Sequence, residues 1–145
     1  MKILVAIDDS KHSETAIHCA ANYFKPQTTE VKIVHVLTPV VLSAPPQMSR
    51  GYTPELEEEA KQARTLVDKY AQQLRAAGYS VDAVVENGDV RECIIDSAER
   101  WHADLIILGS RGHKGMGRLL LGSVAESVVR HAHCSVLVVR PPASR

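Results

Sequence analysis

The sequence predicts a doubly wound α/β domain, a five-stranded parallel sheet with helices on both faces. Three observations predict it. Short apolar runs alternate with stretches of helical period, in the order β-α-β-α-β-α-β-α-β, which implies parallel strands joined by right-handed crossovers. Several runs are apolar at every position, as strands buried on both faces should be. The chain of 145 residues suits one domain, 1–145. A chain of that size buries roughly 68–70% of its unfolded surface and needs neither disulfide nor metal to fold.

Each element has its own signal. Ile3–Ile7 is a β-rich run that ends at Asp8. Ser13–Phe24 carries Ala16, Ile17, Ala20, Ala21 and Phe24 on one helical face. Val31–Leu37 is the second strand. Leu56, Ala60, Ala63, Val67, Tyr70 and Leu74 mark a long helix, with Thr53 as its cap, Pro54 at its first position and Gly78 past its end. Ser80–Glu86 alternates apolar and polar residues, the pattern of an edge strand. Asp89 with Glu92 reads as a capping box opening a helix to about Arg100. Leu105–Leu108 is the fourth strand. Ser123 with Glu126 reads as a second capping box, opening a helix to about His131. Ser135–Val139 is the fifth strand, apolar from Val136 to Val139 although it is last in the chain. At a sheet edge such a strand invites pairing with another chain, and a homodimer through 135–139 is expected.

One segment has no periodicity. Residues 38–52, TPVVLSAPPQMSRGY, hold Pro39, Pro45 and Pro46. A connection that long reads either as a flexible solvated loop or as a lid, since it leaves the carboxyl end of strand 2.

Composition narrows the function. Lys and Arg number 17 and Asp and Glu 17, so the formal net charge is zero. A nucleic-acid binder usually carries a basic excess, and so does a chain that docks on anionic lipid. Neither partner is expected. Cys19, Cys93 and Cys134 are odd in number and far apart, which suggests no disulfide framework. A reducing compartment fits. The N-terminal apolar run is too short for a signal peptide and no stretch reaches membrane-helix length, so the cytoplasm is expected.

Ligands of doubly wound sheets bind beyond the carboxyl ends of the strands. Two segments there stand out. Asp8-Asp9-Ser10 follows strand 1. Gly109 to Ser123 follows strand 4 and holds five of the eight glycines of the chain. Glycine lets backbone N–H groups approach an anion, and the segment runs into a helix N-terminus, where free N–H groups and the macrodipole favour phosphate. Arg111, His113, Lys114 and Arg118 add cationic or donor groups. Gly112 to Gly117 has Walker-A spacing, but Arg118-Leu119 replaces Lys-Ser/Thr. No G-x-G-x-x-G follows strand 1, which argues against a dinucleotide site. Ser123 reads either as a helix cap or as a phosphate ligand, and Asp8 as a turn former or a ligand. His131, His133 and Cys134 offer too few donors for a zinc site.

What does fit is G-x₂-G-x₉-G-[S/T], as Gly109, Gly112, Gly122 and Ser123. With the opening ILVAIDDSKHS and the closing HCSVLVVRP, the chain resembles the universal stress protein family over nearly its whole length, in the branch that binds ATP. The resemblance implies strand order 3-2-1-4-5 and a dimer through strand 5. It implies that Asp8 sits at the adenine and ribose end, and that Val36 meets the base through its backbone. It places Leu108, Gly109, Arg111 and Gly112 along the ribose and first phosphate. Gly122, Ser123, Val124 and Ala125 would bind the phosphates by backbone N–H groups and the Ser123 hydroxyl. The nucleotide implied is ATP, or AMP or ADP. Asp9 stands where many members have glycine, and either helps to hold Mg²⁺ or repels the phosphates.

Three function classes follow. The first is a nucleotide-binding regulatory or stress-response protein. The second is a slow ATPase or phosphotransferase, and the third is an interaction module with a vestigial pocket. Fast phosphoryl transfer needs a positioned base besides cationic groups. No base and nucleophile are paired in this sequence, which leaves room for no more than weak hydrolysis and favours the first class.

Overall fold

The computed structural model describes residues 1–39, 53–111 and 121–142. Five strands, β1 (Lys2–Ile7), β2 (Glu30–Leu37), β3 (Ser80–Asn87), β4 (Leu105–Gly109) and β5 (Ser135–Val139), form one sheet in the order β3-β2-β1-β4-β5. Every pairing is parallel. The helices are α1 (Lys11–Tyr23), α2 (Thr53–Ala76), α3 (Val90–Trp101) and α4 (Ser123–His131), with a short 3₁₀ turn at Pro26–Thr28.

β1 is the axis of the sheet. Val5 lies between Ile33 of β2 and Ile107 of β4. Its odd residues Ile3, Val5 and Ile7 pack with Ile17 of α1 and Val67 and Leu74 of α2. Its even residues Leu4 and Ala6 pack with Ile94 and Ala98 of α3 and Ala125 and Val128 of α4. The period-2 alternation of a strand thus feeds two separate cores, and that requires apolar residues at both parities.

Local chemistry sets the element ends. Asp89 is the N-cap of α3, and its side chain accepts the N–H groups of Arg91 and Glu92 at 3.0 and 3.1 Å. α2 closes on Gly78, whose φ of +95° is open to glycine. There the Tyr79 N–H bonds the Leu74 carbonyl and the Gly78 N–H bonds the Arg75 carbonyl, a Schellman closure. The buried Tyr79 hydroxyl donates to the Phe24 carbonyl at 2.5 Å, with the Ala20 and Ala21 carbonyls at the end of α1 also within reach.

The structure corrects several element readings. α1 starts at Lys11, two residues before the expected Ser13, because Ser10 already has the extended backbone of an N-cap. α2 includes Thr53 in its first turn, with Pro54 after it. Leu56 and Ala60 are exposed, so the covered face of α2 begins at Ala63. α4 is capped by Gly122 and not by Ser123. Gly122 is extended at φ −62° and ψ 157°, and its carbonyl accepts the Glu126 N–H at 2.9 Å, which makes Ser123 the first helical residue. Helical period sets both Cys19 and Cys93 on apolar faces and predicts core positions, but only Cys19 is buried, and Cys93 is half-buried in the first turn of α3. Residues 40–52 of the expected loop lie outside the described residues. No described helix is long and apolar enough to cross a membrane.

Candidate functional site

The order β3-β2-β1-β4-β5 reverses direction between β1 and β4, so the switch point lies at their carboxyl ends. Asp8 leaves β1 there and Ser110 leaves β4. The N-termini of α1 and α4 face the same end of the sheet, because each follows a parallel strand.

The turn after β1 is held by side chains. Ser13, 3% exposed, accepts the Asp8 N–H through its hydroxyl oxygen at 2.6 Å and donates that hydroxyl to Asp8 Oδ1 at 2.9 Å. The Ser10 N–H donates to the same oxygen at 2.8 Å. Asp8 is thereby oriented at the mouth of the switch point, and these bonds are those of a turn former. Behind it, burial pushes the Tyr70 phenol above the ordinary tyrosine range, and the negative charges of Glu14 and Asp8 push it further. His35 Nδ1 lies 2.8 Å from the Ile7 carbonyl oxygen and ties β2 to the end of β1.

The turn after β4 is held by main chain. The Ser110 N–H donates to the Val139 carbonyl at 2.8 Å, and the Ser110 carbonyl accepts the Gly122 N–H at 2.7 Å. Gly109 has a packing reason to be glycine. A Cβ there would collide with the Cβ of His12 in α1 and stand 3.2 Å from the Arg111 carbonyl oxygen. Close passage of α1 over β4 requires the glycine whether or not a ligand does.

The expected site residues separate into groups. Asp8 is half-buried, and Gly109 and Arg111 follow one another across the end of β4. Leu108 and Ala125 are 3% and 2% exposed with side chains in the α3–α4 core, so only their main chain is available to a ligand. Val36 is half-buried in β2 and packs against the same core. Gly122 is the cap of α4, Ser123 is exposed in its first turn, and Val124 is half-buried. Among the described residues no side chain caps that helix. The first N–H groups of any α-helix lack intrahelical acceptors. In α4 these belong to the stretch expected to hold phosphate. Gly112, His113, Lys114 and Arg118 lie outside the described residues.

Three residues in this region were not singled out from the sequence. Ser13 was legible, as the last residue of Asp8-x-Ser10-x-x-Ser13 at a strand–helix junction. Ser110 and His12 had no local signal, since their contact spans 98 positions.

The candidate zinc donors behave as separate groups. His131 Nδ1 lies 2.9 Å from the Ser127 carbonyl oxygen, and His133 Nδ1 lies 3.9 Å from Glu99 Oε2. Among the described residues no three His, Cys, Asp or Glu side chains are arranged to hold a metal ion. Burial, then the charge of Asp104, raises the Cys134 thiol above its usual range.

Comparison with known proteins places this geometry. The family model described as "Universal stress protein family" matches residues 1–140. The chain is 32% identical to universal stress protein Sll1388 of Synechocystis over 150 residues, covering 96% of this chain and 97% of that one. It is 37% identical to universal stress protein MJ0531 of Methanocaldococcus jannaschii over 144 residues, covering 97% and 82%. The solved structure of the hypothetical protein MJ0577 superposes with a TM-score of 0.87 at 26% identity over 98% and 97% of the two chains. More distant folds of the same kind have been solved with nucleotides. A universal stress protein family protein of Arabidopsis thaliana holds AMP (TM-score 0.70, 19% identity, 99% and 93% coverage). The universal stress protein of Archaeoglobus fulgidus holds dAMP (0.72, 21%, 97% and 98%). Another universal stress protein holds cAMP (0.68, 21%, 97% and 96%). Sheet order, the Asp8 turn, the Gly109–Ser123 segment and a match from residue 1 to residue 140 together establish that this chain belongs to the universal stress protein family.

Proposed function

We propose that the chain binds an adenine nucleotide, ATP or its mono- or diphosphate, across the β1–β4 switch point, and acts as a regulatory protein. The observation that carries this reading is the start of α4. A helix N-terminus capped by glycine, with no side-chain cap among the described residues and an exposed serine in its first turn, lies next to Gly109–Arg111, at the end of the sheet where doubly wound folds take their ligands. The related folds with AMP, dAMP and cAMP supply the ligand class. Asp8 serves the ribose and adenine end, with the Val36 main chain beside the base. Leu108, Gly109, Arg111 and Gly112 follow the ribose and first phosphate. Gly122, Ser123, Val124 and Ala125 hold the remaining phosphates through N–H groups and the Ser123 hydroxyl. Carboxylates suit a hard cation, and Asp9, exposed beside Asp8, gives Mg²⁺ an oxygen donor if the metal accompanies the nucleotide.

Isothermal titration with ATP, AMP and ADP, with and without Mg²⁺, tests the reading. Ser123→Ala separates the roles of this residue. Because Gly122 is the cap, stability should stay within about 0.5 kcal/mol of the parent, as for a surface substitution. Nucleotide affinity should fall. Unchanged affinity would remove the Ser123 hydroxyl from the site, and a parent chain that binds none of the three nucleotides would end the reading. Turnover at about 1–100 s⁻¹, the range of ordinary kinases, would replace the regulatory role with an enzymatic one.

We also propose a homodimer through β5. It is an edge strand, and Leu137 is 37% exposed on it. A groove beside it, between α1 and β5, is lined by Cys19, Tyr23, Leu137, Val139 and Pro141, and Tyr23 is 79% exposed. None of the described candidate nucleotide residues lines this groove.

A further inference from the structure

The candidate nucleotide site has two halves that come from distant parts of the chain. One is the Asp8 turn with the first turn of α1. The other is the Gly122–Ala125 start of α4. A nucleotide spanning both is bound well only if their separation is held, because a ligand tolerates misplacement of its contacts poorly.

One buried residue touches both halves. Ser110 is 3% exposed. Its carbonyl accepts the Gly122 N–H at 2.7 Å and so anchors the residue that caps α4. Its own N–H donates to the Val139 carbonyl at 2.8 Å, which ties that anchor to the end of β5. Its Oγ lies 3.4 Å from Nδ1 of His12, in the first turn of α1. His12 passes close to the end of β4, its Cβ 2.3 Å from where a Cβ of Gly109 would stand. The same turn of α1 carries Ser13, which holds Asp8. The hydroxyl–imidazole contact is long, but the hydroxyl is on a buried residue, and at the switch point the contact joins the α1 side of the candidate site to the α4 side.

We propose that Ser110, with His12, is the positioning residue of the nucleotide site, setting the distance between the Asp8 turn and the phosphate-binding start of α4. This rests on the nucleotide reading above. Neither residue needs to touch the ligand. Ser110 acts through Gly122 and His12 acts through Ser110.

The test is ATP affinity, measured by titration calorimetry well below the melting temperature, for the parent chain, Ser110→Ala, Ser110→Thr, His12→Ala and the double variant Ser110→Ala/His12→Ala. A net hydrogen-bond contribution predicts a loss of about two- to tenfold for each single alanine variant. Because both remove one contact, the double variant should lose no more than the weaker single variant. Ser110→Thr keeps the hydroxyl and should bind within about twofold of the parent. A purely structural role predicts instead a lower melting temperature with unchanged ATP affinity, and that result overturns the proposal. So do losses that multiply in the double variant, or a threonine variant as weak as the alanine one. If Ser110→Ala does not fold, His12→Ala, at a half-buried position, carries the same expectation and the same refutation. A parent chain that binds no ATP overturns the nucleotide reading and this proposal with it. A parent that binds ATP while His12→Ala and Ser110→Ala bind it equally well overturns the positioning role alone.

Discussion

Gly109 shows how one residue can satisfy two demands. The sequence singles it out as a glycine of a phosphate-binding pattern, and the structure adds that α1 leaves no room for a side chain there. Gly109→Ala should therefore destabilise the apo protein by about 1–3 kcal/mol, the usual cost of overpacking. Urea unfolding without nucleotide reads this directly, and an unchanged midpoint would mean that α1 can shift away. Ser123 is the converse case. Its spacing to Glu126 is that of a capping box, yet Gly122 takes the cap and the hydroxyl stays at the surface. A serine in the first turn that does not cap is available for another acceptor.

Helix ends show how far the sequence could be read at the level of elements. Asp89 was legible as a cap because its side chain can reach only the N–H groups two and three residues ahead, and it does. Asp89→Ala should cost about 1 kcal/mol, the typical value of an N-cap, measured by chemical denaturation. α4 was misread by one residue because glycine also accepts the extended geometry of a cap, and a rule built on side chains does not register a residue that has none. The strands were easier. β1 and β4 are apolar at both parities because each faces two cores, and β3 alternates because it lies at the edge. Of the candidate site, Asp8 was legible as the break after an apolar run, and Gly122–Ala125 through the glycine spacing and the family resemblance it carries. Their connection through Ser110 and His12 was not, since no local pattern reports a contact made by folding. The start of the covered face of α2 was also missed. Leu56 keeps the helical period but extends past the sheet that would bury it.

For the molecule as a whole, buried phenols should govern its behaviour in alkali. Burial raises both Tyr70 and Tyr79 above the ordinary tyrosine value, and Glu14 and Asp8 add to the shift at Tyr70. A folded-state pKa above the unfolded one contributes stability that is complete below the unfolded value, about 10 for tyrosine, and is lost as pH rises through the folded one. The melting temperature should fall steeply above about pH 10, with the slope reduced in Tyr70→Phe. An identical slope in that variant would assign the effect to other groups. Assembly belongs to this scale too. Leu137→Lys places a charge on the open edge of β5 and should convert the proposed dimer to monomer in sedimentation velocity, at a stability cost below about 1 kcal/mol. A parent chain already monomeric at high concentration would argue against the dimer.

The central place of β1 has a consequence for how the chain is made. Of the five strands of this sheet β1 is made first, and it pairs on one side with β2, which follows within 30 residues, but on the other with β4, where Ile3 meets Leu105. Until that distant partner is synthesised, one edge of β1 has no neighbour, and the apolar residues meant for α3 and α4 have nothing to cover them. A nascent chain stopped after β3 would expose an edge of the apolar strand β1, open to chaperones or to aggregation. The fold that puts the candidate site at the middle of the sheet also postpones its assembly until the last strands of the sheet have been made.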